Sequence, residues 1–199
     1  FTKSFVTAAD KSFGKAGLPE DRPSANAWAA ADKALKLSLT GEVKEPATIT
    51  LDSPGTDKAA HIIIESATHS HGTVVIDHIG SGTYAEVVEI IVGDESNLTV
   101  VSIQDWADDT VHTSAQFARL GRNSKLKHIV ISLGGKTVRV TPNAEFTATG
   151  GDVELLGMYF ADAGQHLEHR SYVDHAVAQC KSRVTYKGAL QGRSEERRV

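Results

Sequence analysis

From about residue 43 onward the chain is written in short apolar runs separated by polar or glycine-containing turns. The runs fall at residues 47–51, 60–65, 73–79, 86–92, 98–103, 113–118, 126–133, 137–141, 145–149, 153–160, 166–173 and 180–186. Several alternate strictly, with Leu98 and Val100 set against Thr99, and Val138 and Val140 against Arg139 and Thr141. Alternation places successive side chains on opposite faces, which is the signature of a half-buried strand. The run centres recur roughly every 8–15 residues, the rhythm of an all-β sandwich, barrel or solenoid. No segment between them is long and periodic enough for a crossover helix, which argues against a doubly wound sheet.

The first forty residues read differently. Among the Val, Ile and Thr residues, only Thr2, Val6, Thr7 and Thr40 precede Gly41. β-Branched side chains suit a pleated surface and lose rotamer freedom in a helix, so the strand potential lies after that point. An Ala-rich stretch at 24–39 carries Trp28, Ala31, Leu35 and Leu39 at helical spacing, and Ser24 after Pro23 is an N-cap candidate. The expectation is a helix there, a loop at 14–23 with Gly14, Gly17, Pro19 and Pro23, and a shorter helix at 5–11. The chain thus divides into a helical N-terminal region, 1–40, and an all-β core, 41–199.

Hairpin proteins usually advertise Asn-Gly or Asp-Gly turns, and this chain has neither dipeptide. Its turns at 79–83, 92–97 and 120–124 each leave one strand and return to another through glycine and small polar residues. Loose repetition at two strands per coil suits a parallel β-helix, in which each coil covers the edge of the last. The pattern alone leaves a sandwich open.

Composition narrows the function classes. The 199 residues are 40% hydrophobic and 23% charged, with a net charge of −4. Mild acidity argues against a general nucleic-acid binder, whose affinity rests on neutralising phosphates. No apolar run approaches the roughly 20 residues of a membrane-spanning helix. The single cysteine, Cys180, excludes a disulfide scaffold and fits a reducing compartment, so a cytoplasmic location is expected. The opening at Phe1 and the close through Ser194 to Val199, with no capping helix, read as a fragment whose last coil is uncapped.

Three motifs resolve into ordinary structure. His69-Ser70-His71 puts two imidazoles on one face of an extended segment, with His78 as a conceivable third ligand. No carboxylate follows at the distance a cupin-type metal site needs, so an exposed turn pair is the better account. Gly134-Gly135-Lys136-Thr137 lacks the first glycine of a phosphate loop, since Val130 stands there, and leads into a strand pattern rather than a helix. Asn97-Leu98-Thr99 matches a glycosylation acceptor, with no secretory signal to give it weight.

The densest polar cluster lies late, from His166 to His175, followed by Cys180 and Lys187. Alternation puts His166, Glu168 and Arg170 on one face and Leu167, His169 and Ser171 on the other. Asp174 beside His175 is placed to orient an imidazole, which makes His175 and Cys180 candidates for a Cys–His nucleophilic pair or for metal ligands. A polar solenoid face with a packed, inert thiol is the competing account.

Residues 171–183, Ser-Tyr-Val-Asp-His-Ala-Val-Ala-Gln-Cys-Lys-Ser-Arg, resemble the SufB/SufD segment that reads aromatic, any, acidic, His, four residues, Cys, any, Ser. Residues 184–190 resemble the strand that follows it, and the degenerate β repeats and Trp28 agree with that family. The likeness is closer to SufD than to SufB. It implies a right-handed parallel β-helix and a non-catalytic scaffold in iron–sulfur cluster assembly. A SufB homologue and the SufC ATPase are the implied partners. The family's later Cys-Ser-His-Gly stretch and its SufC-docking helical region have no counterpart within these residues. No catalytic residue and no intrinsic cofactor are therefore expected, and any cluster would need a partner chain. A polysaccharide-acting β-helix enzyme is the rival, with Asp105, Asp108 and Asp109 beside Trp106 as its candidate acids.

An uncapped coil leaves strand edges and apolar surface open. Residues 1–199 alone are expected to be less soluble than the intact protein or to associate end to end; a stable monomer at high concentration in sedimentation would contradict this.

Overall fold

The computed structural model describes residues 1–192, 195 and 196. The expectations resting on Ser194, Arg197, Arg198 and Val199 lie outside the described residues. One sheet runs in the order β1 (Thr2–Val6), β2 (Ala34–Leu39), β4 (Lys58–Ser66), β6 (Thr83–Val92), β8 (Val111–Leu120), β10 (Thr137–Phe146) and β12 (His166–His169). A short strand, β13 (Tyr172–Asp174), also pairs with β10. The second sheet stacks β3 (Ala47–Pro54), β5 (His71–Ser81), β7 (Asn97–Gln104), β9 (Lys125–Ser132), β11 (Asp152–Ala161) and β14 (Lys181–Leu190).

The chain alternates between the two sheets, and each strand from β2 onward pairs in parallel with the strand one coil away. This is a β-solenoid, and the parallel pairing excludes the antiparallel sandwich. The six coils are β2–β3, β4–β5, β6–β7, β8–β9, β10–β11 and β12/β13–β14. Register sets their length. His71 lies opposite Asn97, Asn97 opposite Lys125 and Lys125 opposite Asp152, so successive coils take 26, 28 and 27 residues. Residues at that spacing form columns inside the solenoid. Leu37, Ile64, Ile90, Ala118 and Ala144 make one such column, part of the main apolar core.

The turn from each first-sheet strand to the next strand is built alike. Gly41, His69, Glu95, Asn123, Gly150 and Gln179 all have φ between 51° and 82°. Their backbones stack: His69 N–H donates to the Asp94 carbonyl, Glu95 to Arg122, Asn123 to Thr149 and Gly150 to Gln179. Hydrogen bonding between coils thus holds four non-glycine residues in the left-handed region that L-residues normally avoid.

The N-terminal region departs from expectation. The helix α1 covers only Arg22–Ala30, and its N-cap is Asp21, not Ser24. The Asp21 carboxylate accepts from the Ser24 N–H while the Ser24 side chain reaches back to the cap backbone; Pro23 sits in the first turn, where an N–H is not needed. The expected continuation to Leu39 is instead strand β2. A spacing of four is also a multiple of two, so Leu35 and Leu39 share a strand face with Leu37 and join the apolar interior. The helix expected at 5–11 is absent. Residues 2–6 form β1, which pairs antiparallel with β2 and covers the open edge of the first coil.

The segment between β1 and α1, together with α1, lies on the outer face of β4, β6 and β8. Ala16, Ala27, Ile63, Val87, Ile91 and Phe117 are buried there with Phe13 and Trp28 against them. Beneath this cover Glu89 is fully buried; its carboxylate accepts from Gly14 N–H at 2.8 Å and Ala16 N–H at 2.9 Å, and meets His61 Nε2 at 2.9 Å.

The run predicted at 137–141 and the start of the run at 145–149 form the single strand β10, which passes through Pro142 and ends at Phe146. Proline has no N–H for the ladder. The neighbouring coil breaks at the same level, with β12 ending at His169 and β13 beginning at Tyr172.

At the opposite corner of the coil, Gly80 has a φ of 95°, and a Cβ there would overlap the Ser53 carbonyl oxygen. Gly164 has a φ of 85° but open space around it. Gly80→Ala should lower stability by about 2 kcal/mol or more, against about 1 kcal/mol for Gly164→Ala, read from urea midpoints.

Candidate functional site

The interior is not uniformly apolar. Near the His69, Glu95 and Asn123 turns it is packed with Leu, Ile and Val, whereas toward the opposite corner it becomes a column of buried polar side chains. Register builds this column. In the second sheet His78 lies opposite Gln104 and Gln104 opposite Ser132. In the first sheet Glu86 lies opposite Ser114, Tyr84 opposite His112 and Val88 opposite Gln116. All except Tyr84, which is 7% exposed, are less than 3% exposed.

At its lower end three side chains converge from three successive coils: His78 on β5, Glu86 on β6 and His112 on β8. His78 Nε2 lies 3.0 Å and 3.1 Å from the two Glu86 carboxylate oxygens, and His112 Nε2 lies 3.6 Å from Oε1. The other ring nitrogens point at backbone carbonyls. His78 Nδ1 is 2.7 Å from the Ile103 oxygen and His112 Nδ1 is 3.0 Å from the Tyr84 oxygen. A carbonyl only accepts, so both Nδ1 atoms carry hydrogen. Ser114 Oγ donates to Glu86 Oε1 at 2.5 Å, and Gln116 Nε2 donates to Ser114 at 2.8 Å. Trp106 donates its indole N–H to Gln104 Oε1 at 2.8 Å, while the Gln104 amide nitrogen donates to Ser102 and lies 3.2 Å from His78 Nδ1. The Trp106 ring packs against His78, Tyr84 and His112.

Electrostatics follow from this packing. Burial raises the Glu86 carboxyl, but His78 and His112 outweigh it and hold the group well below the usual carboxylate range. Burial lowers His78, yet the Glu86 charge prevails and raises it; for His112 burial prevails and keeps the imidazole neutral. Higher up, His128 Nε2 meets Gln116 Oε1 at 2.5 Å and His169 Nε2 meets Ser132 Oγ at 2.9 Å. Burial pushes both imidazoles down to about 4. His112 Nε2, His128 Nδ1, His169 Nδ1 and the Tyr186 hydroxyl are buried polar atoms without a hydrogen-bond partner, which a native interior rarely tolerates.

The residues singled out from sequence lie elsewhere. His175 is exposed, with Nε2 2.9 Å from the Ser182 hydroxyl and its ring on Phe146. Cys180 is half-buried and follows the left-handed Gln179, the place in the turn held by Ser70, Ser96 and Ser124 in earlier coils. Its thiol donates toward the Ala148 carbonyl at 3.5 Å, as Ser96 Oγ donates to Ala67 at 3.0 Å. Asp174 lines a surface groove with Glu20, Glu145 and Tyr172. The expected alternation at 166–169 holds: Leu167 and His169 face inward, and Glu168 pairs outside with Arg139 at 2.8 Å. His69 and His71 are surface groups, the first 3.4 Å from Glu95 and the second bonded to Asn97. Asp105, Asp108 and Asp109 stand exposed in the β7–β8 loop while Trp106 turns inward. In the sequence, His78 stands out only as a companion of His69 and His71, and Glu86 and His112 not at all. The available signal is parity: each sits at an inward position, His78 and Glu86 on faces that are otherwise largely apolar and His112 on a face shared with Ser114 and Gln116.

Comparison with known proteins gives a consistent set of likenesses. A family model described as SUF system FeS cluster assembly, SufBD core domain, matches residues 49–197. An iron–sulfur cluster assembly SufBD family protein of Mycobacterium bovis is 47% identical over 191 residues, covering 94% of this chain and 48% of its own length. One from Mycobacterium leprae is 48% identical over the same span, covering 94% and 49%. A more distant relative from Staphylococcus saprophyticus is 24% identical over 122 residues, covering 55% and 26%. The chain spans about half the length of the mycobacterial relatives it matches most fully. No solved structure matches significantly. Among the described residues no helix is long and apolar enough to cross a membrane.

The upper column sets an acid limit on stability. With folded values near 4 and unfolded values near 6.5, His128 and His169 bind protons more readily when unfolded. Stability is therefore complete above pH 6.5 and declines as pH falls toward 4. Acidification from pH 7 to 5 should cost about 2 kcal/mol per histidine. Melting temperatures across that range should fall less steeply in His128→Gln; an unchanged slope would contradict the assignment.

Proposed function

The chain belongs to the SufB/SufD family of iron–sulfur cluster assembly proteins, and from that membership we propose that it is a SufD-like, non-catalytic scaffold component of a cluster assembly complex. The observation carrying this reading is the match of the family's core model along the β-solenoid. In this reading the solenoid is a rigid body on which partner chains are arranged. A SufB homologue is the direct partner and a SufC-type ATPase supplies the energy-coupled step. The cytoplasm is the compartment, in keeping with the single free thiol.

The cluster is cargo, not a resident group. One cysteine is too few to hold it, since clusters are normally ligated by several thiolates. Within this reading the remaining ligands come from outside residues 1–199, whether from the rest of the full protein or from a partner chain. Nothing favours a polysaccharide-acting enzyme.

Co-expression of the intact tagged protein with SufB and SufC homologues should yield one complex that assembles clusters. Recovery of the tagged protein without either partner would overturn the scaffold reading. Within that complex Cys180→Ser should leave assembly unchanged, because serine already fills the same turn position in three earlier coils. A loss of assembly would instead give Cys180, with His175 in the same coil, a part in moving sulfur or iron.

A further inference from the structure

The lower end of the interior column has a feature that a scaffold does not need. His78 Nε2, a Glu86 carboxylate oxygen and His112 Nε2 all lie within 4.8 Å of one another, and the three side chains are fully buried. The backbone dictates their chemistry. With hydrogen on each Nδ1, directed at the Ile103 and Tyr84 carbonyls, each imidazole in its neutral form presents the Nε2 lone pair toward the carboxylate. Three acceptors thus converge on one point, and the donor supplied by Ser114 goes to Glu86 Oε1, not to either imidazole. His112 Nε2, 3.6 Å from Glu86 Oε1, is left without a hydrogen-bond partner. A proton on His78 joins only His78 to Glu86 and leaves His112 unanswered. A single cation among the three atoms answers all of them.

We propose that His78, Glu86 and His112 form a binding site for one divalent first-row transition-metal ion, of the zinc or ferrous class, enclosed within the solenoid. Two imidazole nitrogens and a carboxylate oxygen are a donor set favoured by such ions over calcium or magnesium, which prefer all-oxygen shells. Ligand atoms about 2.0–2.2 Å from a tetrahedral ion lie roughly 3.3–3.5 Å from one another. The observed separations of 3.0 Å and 3.6 Å to Glu86 Oε1 bracket that range. The surrounding contacts are those that orient metal ligands: each imidazole is fixed through Nδ1 by a carbonyl, and Glu86 is fixed by Ser114, itself held by Gln116. The site is distinct from His175 and Cys180 and independent of the scaffold reading.

The ligands come from three successive coils, so the ion is enclosed as the fourth coil closes over the third. It should enter during folding and leave slowly. The intact protein, expressed in medium supplemented with zinc and dialysed against EDTA, should retain about one zinc ion per chain by elemental mass spectrometry. Glu86→Gln, which keeps an acceptor for Ser114, and His112→Gln, which removes the imidazole, should each reduce retention at least tenfold. His69→Gln combined with His71→Gln, which removes the exposed imidazoles, should leave it unchanged. X-ray absorption of the wild-type zinc protein should show two imidazole ligands, a reading that does not depend on the variants folding. Absence of retained metal, retention unaffected by Glu86→Gln and His112→Gln in folded protein, or a zinc shell without two imidazoles would overturn the proposal. Retention abolished by the surface double variant would also overturn it.

Discussion

The parallel backbone ladder between successive coils is the constraint on which the rest of the molecule depends. Each strand from β2 onward finds its hydrogen-bond partners one coil away, in an almost unbroken register. Once the ladder holds, the side chain at a given interior position must stack on its counterpart 26 to 29 residues distant. Packing then becomes a problem of columns. An aliphatic column can be built from Leu, Ile, Val and Ala without further coordination. A polar column works only if neighbouring coils supply complementary donors and acceptors, as Gln104, Ser102, Gln116 and Ser114 do for one another. Local strain is subordinate to the same ladder, which holds His69, Glu95, Asn123 and Gln179 in left-handed turns.

This dependence explains what could be read in the sequence. Alternation along runs such as Leu98 to Ile103 is local, so the all-β core and two strands per coil were legible. The stretch from Leu35 to Leu39 misled because its spacing satisfies a helix and a strand equally; pairing with β4 decides between them. Pro142 does not end β10 although it offers no N–H to the ladder, and it is the neighbouring coil that breaks at that level. His78, Glu86 and His112 are separated by 8 and 26 residues, and nothing local joins them. Their meeting exists only in the register. Cys180 and His175 were conspicuous for the opposite reason, being close in sequence within a recognisable motif, yet the thiol occupies a place in the turns that serine fills elsewhere.

Family membership and the buried column lie on different levels of the molecule. The likeness to SufBD proteins runs along most of the solenoid. The column concerns a few side chains sealed within it. Burial there is costly, since the interior holds a carboxylate and several imidazoles away from water. Replacing them by aliphatic side chains would leave the ladder intact, so the fold alone does not require them. Their presence marks a second demand on the same coils.

The N-terminal cover alters how such a solenoid comes apart. Repeat proteins whose coils touch only their neighbours can fray one unit at a time from either end. Here the cover reaches across that nearest-neighbour order. The segment ahead of α1 grips Glu89 in the third coil, and the apolar cluster beneath it draws Ile63, Val87 and Phe117 from three consecutive coils. Those coils share one lid and must lose it together. Under mechanical load applied from the far end, the outer coils would peel away singly, and the second, third and fourth would yield as one block.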